Sequence, residues 1–272
     1  MMIRQKGDTM NIVDLEDENI GLYCKCLEEW TSEFDDEAGH KKQWYEKNKG
    51  LGLRVKLAQD DDNKIVGMIQ YMPSENAPIL GRDLYYVYCI WVHGYRKGVG
   101  NHQHKGIGKL LLKAAEEDAM NLGAKGIVAW GIKLPFFMRS SWFKKQGYKK
   151  VDSDGMIEMV LKSYSEEVES PRLYKQRKNI EKGTNKVRLT CFMNGWCPAQ
   201  NIVFERAKRV ADEHINHVVF IGINTFDRKN LEEYGIIDGL FVDDKQIRTG
   251  PPPSYEKIKK IVEKTIKKRA QL

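Results

Sequence analysis

Gln103-His104-Lys105-Gly106-Ile107-Gly108 leads without a break into the amphipathic run Ile107 to Leu122. Leu111, Leu112, Ala115, Ala119 and Leu122 recur at helical spacing, and Gly123 stands where a C-cap is expected. Two glycines followed at once by a helix suit an anion. The amides of the first helical turn have no acceptor inside the helix, and the helix dipole adds positive potential there. Glycine also lets backbone come close to phosphate oxygens. Two phosphate loops fail here at identifiable residues. A P-loop needs glycine where Gln103 stands and Ser or Thr where Leu110 stands. The dinucleotide pattern GxGxxG ends on Gln103 if it starts at Gly98, and on Leu111 if it starts at Gly106. A glycine-rich turn with no ligand is the remaining competitor.

Outward from the loop, the first half alternates strands and helices. Leu84 to Val92, LYYVYCIWV, is a long β-prone strand. Met10 to Val13, Arg54 to Ala58 and Ile65 to Met72 are strands before it. Asp60-Asp61-Asp62-Asn63 is a turn by its chemistry. Asn19 to Trp30 and His40 to Asn48 are expected helices. After the loop come strand Gly126 to Trp130, helix Pro135 to Gln146, and strands Lys149 to Val151 and Met156 to Leu161. Residues 164–186 are polar, punctuated by Pro171 and Gly183, and read as a linker. This divides the chain into domains 1–163 and 187–272. In the second, strands Val187 to Phe192, Val218 to Ile223 and Leu240 to Val242 alternate with helices Pro198 to His214 and Leu231 to Tyr234, and a last helix starts near Tyr255.

Gln103, Gly106 and Gly108 fit the pattern [Arg/Gln]-x-x-Gly-x-[Gly/Ala], and Trp142-Phe143-Lys144-Lys145-Gln146-Gly147-Tyr148 follows as an aromatic-aromatic-x-x-x-Gly-aromatic segment. With these two motifs in order, residues 9 to 162 resemble the GCN5-related N-acetyltransferase (GNAT) superfamily. The resemblance implies a mixed central sheet flanked by helices and an acetyl-CoA co-substrate. It implies that the amides of Gln103, His104, Lys105, Gly106, Ile107, Gly108 and Lys109 cradle the pyrophosphate. It also implies that backbone groups of Ile90, Trp91 and Val92 hold the cofactor, with one amide facing the thioester carbonyl. The near-copy Tyr95-Arg96-Lys97-Gly98-Val99-Gly100 lengthens the connection before the loop. It is either an added phosphate contact through Arg96 or Lys97, or a solvated insertion.

Acetyl transfer to an amine needs a base for the ammonium, a donor for the oxyanion and a proton for the departing thiolate. Family members often place a tyrosine acid where this chain has Phe143, and an asparagine where it has Phe136. Ser140, Ser141 and Tyr148 are the substitutes at hand. Tyr86, Tyr88, Cys89 and His93 are the polar candidates on or beside the long strand, so Tyr88, His93 and Ser141 are the catalytic candidates. Glu28, Glu29, Glu33, Asp35, Asp36 and Glu37 lie where the family lines its acceptor site. They would attract a cationic amine, with Trp30, Phe34 and Trp44 as apolar walls, or else form an exposed acidic turn. The acceptor is expected to be a primary amine of a small molecule or peptide.

In the second domain, Asn194-Gly195-Trp196-Cys197-Pro198-Ala199 between strand and helix resembles the start of a thioredoxin-like domain. The domain order resembles that of the YoaP-like bacterial acetyltransferases. A cysteine at a helix N-terminus is a reactive type, so the alternative function is a thiol-based redox or electrophile sensor using Cys197, with a CoA-binding regulatory domain. Against it, Gln200 occupies the resolving position, and Ile236-Ile237-Asp238-Gly239 lacks the expected cis-proline. An accessory role without redox chemistry is preferred.

Composition agrees with an enzyme of the cytoplasm. The five cysteines form no CxxC and no paired metal spacing. His93, His102 and His104 have no carboxylate or thiolate at metal spacing, so no metal is expected. No apolar run approaches a membrane span, and Met1 to Asp17 lacks one of signal-peptide length. The net charge of +7 is uneven: residues 1–163 carry 24 Lys and Arg against 23 Asp and Glu, and residues 164–272 carry 21 against 15. Much of the excess is the lysine-rich face of the last helix, read as solvated rather than as a nucleic-acid surface.

Overall fold

The computed structural model describes residues 3–4, 9–28, 35, 38–135, 137–247 and 252–271. They form two units, Met1–Thr31 with Tyr45–Leu173, and Ser32–Trp44 with Tyr174–Leu272. The first contains β1 (Ile3–Arg4), β2 (Thr9–Asp14), helix α1 (Ile20–Cys24), and the end of helix α2 (Ala38–Asn48). Then follow β3 (Arg54–Gln59), β4 (Ile65–Pro73), β5 (Ile79–Leu80), β6 (Leu84–Val92), helix α3 (Ile107–Asn121), β7 (Gly126–Ile132), helix α4 (Ser140–Lys144), β8 (Lys149–Asp154), β9 (Ile157–Ser163) and β10 (Arg172–Leu173). Eight strands make one sheet in the order β1-β2-β3-β4-β6-β7-β9-β8. Every pair in it is antiparallel except β6 with β7, which α3 connects as a parallel crossover.

The apolar face of α3 gives the first unit its core. Ile107, Leu111, Leu112, Ala115 and Ala119 pack with Ala58, Ile69, Val87, Ile127, Ala129 and Phe143, and each fully buried leucine contributes about 1.5–3 kcal/mol. Gly67 on β4 sets how close the helix lies. A Cβ there would stand 3.1 Å from Leu111 Cδ1, 3.2 Å from Trp91 O and 3.3 Å from Ile107 Cγ2. At the far end of α3, Arg54 donates two bonds to Asp118, Nε to Oδ2 at 2.8 Å and Nη2 to Oδ1 at 2.9 Å. The Tyr71 hydroxyl donates to Oδ2 at 2.6 Å. Burial alone would raise the Asp118 carboxyl; the bonds from Arg54 and Tyr71 and the charges of Lys56 and Arg54 outweigh it and hold it below the usual range.

The second unit contains β11 (Val187–Met193), α5 (Pro198–Glu213), β12 (Val218–Asn224), α6 (Arg228–Tyr234), β13 (Gly239–Val242), β14 (Lys245–Gln246) and α7 (Tyr255–Arg269). Its sheet order is β12-β11-β13-β14, with β11 parallel to β12 and the other pairs antiparallel. Leu189, Cys191, Val203, Ala207, Val210, Ile258 and Val262 fill one face under α5 and α7. Ile180, Phe192, Ile223, Ile236 and Phe241 fill the other. Arg269 closes the unit: it donates to both carboxylate oxygens of Asp243 at 2.9 Å and to the carbonyls of Gly183, Thr184 and Lys186.

Several elements depart from their expected bounds. The helix expected over Asn19 to Trp30 stops at Cys24, because Cys26 and Leu27 take left-handed conformations at φ 52° and 66°; Trp30 lies outside the described residues. The helix expected over Pro135 to Gln146 shrinks to α4, since Met138 turns left-handed at φ 51° and Arg139 pairs with Ile132. The span 164–186 is less free than a linker. Arg172–Leu173 pairs antiparallel with β5, Leu173 N donates to Asp152 Oδ2 at 2.9 Å, and Tyr174 and Ile180 are buried. Of the residues before Tyr45, 38–44 cluster with the second unit, where His40 Nε2 meets Glu205 Oε1 at 2.6 Å and Trp44 packs on Trp196.

The depressed Asp118 carboxyl supplies stability that is present above its unfolded pKa, near ~3.9, and that is lost as pH falls through its folded value. Asp118→Asn is therefore expected to lower stability at pH 7 by about 1.5–3 kcal/mol and to flatten the acid-side loss below pH ~4, as read by urea titrations across pH.

Candidate active site

β6 carries one residue more than β4 can pair. The register runs Gln70↔Cys89 and then Tyr71↔Val87, leaving Tyr88 as the extra residue of a bulge. On its other side β6 pairs with β7 only from Leu84↔Gly126 to Val87↔Ala129. Both strands continue, β6 to Val92 and β7 to Ile132, without pairing each other. The sheet therefore splits from the bulge onward. Side chains satisfy the opened edge. Trp130 Nε1 donates to Tyr88 O at 2.7 Å, and Ile90 N donates to the Met138 sulfur at 3.4 Å. A thioether is a weak acceptor, so the Ile90 amide is held lightly.

Met138 reaches the split because β7 has a glycine beneath its turn. A Cβ on Gly131 would stand 2.6 Å from Ser140 N and 2.8 Å from Met138 O, both backbone atoms. Only a bare Cα lets the 138–140 turn settle there.

The N-terminus of α3 lies at the mouth of the split. Gly106 is its N-cap at φ 79°, a left-handed conformation. Lys109 N and Leu110 N donate to Gly106 O at 3.0 and 3.2 Å, so the amides of Ile107 and Gly108 precede the first intrahelical bonds. No acidic residue sits in the first turn. A Cβ on Gly108 would lie 3.5 Å from Trp142 Cζ2 and 4.0 Å from Val92 Cγ2, so the loop adjoins both the end of β6 and the second aromatic motif. Gln103 folds back so closely over Gly94 that a Cβ there would be 2.2 Å from its Nε2. His104, Lys105 and Lys109 are exposed around this cradle. Free amides, a dipole and two lysine side chains next to an open strand edge fit a phosphate-bearing cofactor with an extended arm.

The near-copy at Tyr95 to Gly100 is a turn held from within. His102 N donates to His93 O at 2.8 Å, His93 Nδ1 meets Gly100 O at 2.7 Å, and His102 Nε2 meets Val99 O at 2.9 Å. Because a carbonyl only accepts, His93 carries its neutral-state proton on Nδ1, which leaves a lone pair on Nε2. That Nε2 is buried and has no hydrogen-bond partner among the described residues.

The other catalytic candidates lie elsewhere. The Tyr88 hydroxyl is buried and donates to the Met72 sulfur at 3.0 Å, while its ring meets Tyr86. Ser141 is exposed on α4, and its neighbour Ser140 is buried and bonded to Glu158. Phe143 is fully buried in the core. Tyr148 donates to Glu116 Oε1 at 3.0 Å, and burial and then the Glu116 charge push its phenol well up. Of the acidic stretch, Glu28 is buried and Asp35 exposed; Glu29, Glu33, Asp36 and Glu37 lie outside the described residues, as do Phe34 and Phe136. Trp130 and Met138 were read only as strand and helix. Nothing in the sequence marks them, because their contacts depend on where β7 leaves β6.

In the second unit Cys197 is the N-cap of α5 with Pro198 in the first turn, and its amide donates to Asn194 Oδ1 at 3.2 Å. Asn194 Nδ2 donates to Asp238 Oδ2 at 2.9 Å. Cys191 is buried in the core, where desolvation pushes its thiol well up, and none of the five cysteines is in a disulfide. Among the described residues there is no cis peptide and no cluster of three His, Cys, Asp or Glu suited to a metal, and no helix is long and apolar enough to cross a membrane.

Comparison with known proteins matches residues 17–148 to the acetyltransferase (GNAT) family. No curated protein matches the chain. Similar solved structures include a protein described as a GNAT-family acetyltransferase from Desulfovibrio desulfuricans, with 16% identity over 57% of this chain and 99% of that one, at a TM-score of 0.44. A GNAT-family acetyltransferase from Staphylococcus aureus Mu50 has 17% identity over the same shares, at 0.43. The PaiA N-acetyltransferase from Thermoplasma acidophilum, solved in complex with coenzyme A, has 18% identity over the same shares, at 0.42.

The tight fit under the 138–140 turn is testable. Gly131→Ala is expected to cost about 1–3 kcal/mol, as overpacking does, whereas Gly21→Ala, with nothing within 4 Å of its added Cβ, should not destabilise. Urea unfolding midpoints of the two variants check this.

Proposed function

We propose that this protein, whose residues 17–148 match the acetyltransferase (GNAT) family, is an acyltransferase that moves an acetyl group from acetyl-CoA to the primary amine of a small molecule or peptide. The observation that carries the reading is the junction of the split with the α3 cradle. One opens a strand edge, the other presents free amides, and Val92 and Gly108 lie side by side where they meet.

The amides of Gly106, Ile107 and Gly108, with those of His104 and Lys105, would hold the pyrophosphate; the expected amides of Gln103 and Lys109 drop out of the cradle, because Gln103 N donates to Asn101 Oδ1 at 2.9 Å and Lys109 N to Gly106 O at 3.0 Å. The side chains of Lys105 and Lys109 add positive charge. The backbone of Ile90, Trp91 and Val92 would line the arm that enters the split. When bound, acetyl-CoA supplies an acetyl group already activated as a thioester. The Ile90 N–H is the donor placed for a carbonyl oxygen that gains charge, and it exchanges a weak sulfur acceptor for a stronger oxygen. His93 Nε2 takes the proton an ammonium must lose before its nitrogen can attack. Gly100 O holds the ring in the tautomer that allows this. Tyr88 and Ser141 receive no role here, since one hydroxyl is committed to Met72 and the other lies exposed on α4.

The second unit reads as a thioredoxin-like accessory domain. Its support is the order β12-β11-β13-β14 with one parallel pair, α5 and α7 on one face and α6 between β12 and β13. A role without redox chemistry is favoured by Gln200 at the resolving position and by the burial of Cys191.

Acetyl-CoA is expected to raise the thermal midpoint, by the equivalent of about 2.7 kcal/mol at a hundredfold excess over Kd. Gly106→Val should remove that shift by forcing a branched residue into a left-handed cap. A wild-type protein with no shift at saturating acetyl-CoA would falsify the reading. His93→Gln is expected to keep the shift but lower kcat by roughly a hundredfold or more, measured as thiol release. An unchanged kcat would remove His93 as the base.

A further inference from the structure

The two larger sheets end on the edge strands β1, β8, β12 and β14, and all but β12 are guarded. β1 and β14 are two residues long, and β8 carries Lys149, Lys150, Asp152 and Asp154. Short length and charge are what keep an edge from pairing with another chain. β12, at the end of the second unit's sheet, has neither. It is seven residues long and reads VVFIGIN, with no charge and no proline. Among the described residues of that unit, the exposed large apolar side chains are Val219, at 39%, and Ile215, at 65% in the turn that leads into β12.

Hydrogen bonds at the ends of β12 fix which of its backbone groups face outward. Val187 N donates to His217 O at 2.8 Å, and Thr225 N donates to Met193 O at 2.9 Å. The N–H and C=O of one strand residue point to the same side, so the odd-numbered residues turn toward β11. The even-numbered residues turn toward the open edge. Two of their groups are already used: Val218 N donates to His214 O at 2.9 Å, and Asn224 O accepts from Asn230 Nδ2 at 2.8 Å. The others have no hydrogen-bond partner among the described residues. They are the N–H of Phe220, Gly222 and Asn224, and the C=O of Val218, Phe220 and Gly222.

These groups are complementary to their own two-fold image. With β12 set antiparallel to the β12 of a second copy and Ile221 opposite Ile221, Phe220 stands opposite Gly222 and Val218 opposite Asn224. Phe220 and Gly222 exchange both bonds across the pair, and Asn224 N reaches Val218 O, so every open group finds a partner. The bond this register would otherwise add at each end, from Val218 N to Asn224 O, joins the two groups that are already committed. An edge that matches itself in this way fits a second copy of the chain better than an arbitrary peptide. The side chains agree. The Phe220 ring lies across from a glycine. On the other face Val219 lies opposite Ile223 and Ile221 opposite itself, apolar on apolar with no charge to repel its image. We infer that the chain forms a two-fold dimer through β12, which joins two four-stranded sheets into one continuous sheet. The inference is independent of the acetyl-transfer reading.

The test uses the full chain. Sedimentation equilibrium of the wild-type protein is expected to give twice the chain mass. Val219→Lys sets a charge beside Ile223 of the second copy and should weaken the dimer at least about tenfold, with its far-UV circular dichroism unchanged. Engineered cysteines read the register. Ile221→Cys brings two thiols face to face at a non-hydrogen-bonded pair, about 4.5 Å apart at Cα and within disulfide reach. The thiols of Val219→Cys would be about 14 Å apart, four residues along the strand, and out of reach. Under mild copper–phenanthroline oxidation, Ile221→Cys is expected to give a covalent dimer at least about tenfold faster than Val219→Cys or the wild type. A wild-type chain that stays monomeric at every soluble concentration overturns the inference and leaves β12 to a strand of another protein. A dimer that Val219→Lys leaves unchanged belongs to another face and overturns it too. Cross-linking no faster in Ile221→Cys than in Val219→Cys does the same.

Discussion

The extra residue in β6 governs the rest of the first unit. Tyr88 has no partner on β4, so β6 changes direction at that point and leaves β7 after four paired residues. A parallel pair that stopped there with nothing in the gap would expose unpaired backbone groups, which is costly when they are buried. Here the gap is edged by groups that hold it open without closing it: the Trp130 indole on one carbonyl and the Met138 sulfur on one amide. The bulge thus converts a sheet interior, the most rigid part of such a fold, into a slot with a preformed donor.

The slot is useful only because α3 starts at its mouth. Helix placement follows from packing at both ends. Gly67 lets Ile107 and Leu111 sit directly over β4 and β6, and Asp118 is clamped by Arg54 and Tyr71 at the other end. Rigid anchoring matters for the chemistry, because a cradle of amides stabilises charge in proportion to how little it must reorganise. The long connection from β6 to α3 folds around its own histidines, so the inserted near-copy of the loop does not displace the cradle. It instead brings His93 to rest behind the strand end with one nitrogen bonded and the other bare.

Much of this was legible in the sequence, and the boundary of legibility has a physical shape. Local signals held where they were local: the Gly106 and Gly123 conformations, the α3 stripe, the β-prone run of β6 and the Asp60–Asn63 turn all follow from propensity and periodicity. The short elements β1, β5, β10 and β14 were missed, since two residues paired to a distant partner leave no periodic trace. Helix α4 was overestimated because the pattern from Pro135 onward does not reveal that Met138 turns left-handed under β7. The candidate site divides the same way. The cradle residues are contiguous and readable. The roles of Trp130 and Met138 arise from the divergence of two strands far apart in sequence, and the Tyr88 and Ser141 hydroxyls looked available only because their partner and their exposure on α4 are tertiary facts.

The central claim is that one slot and one cradle act together on one cofactor. Amide hydrogen exchange, resolved by residue and compared with and without acetyl-CoA, tests it most directly, because it reads the backbone donors themselves. The account predicts slower exchange at Ile90 and across His104 to Gly108 in the same titration, with one apparent affinity. Protection of the 104–108 amides without any change at Ile90, or protection confined to other parts of the chain, would contradict it.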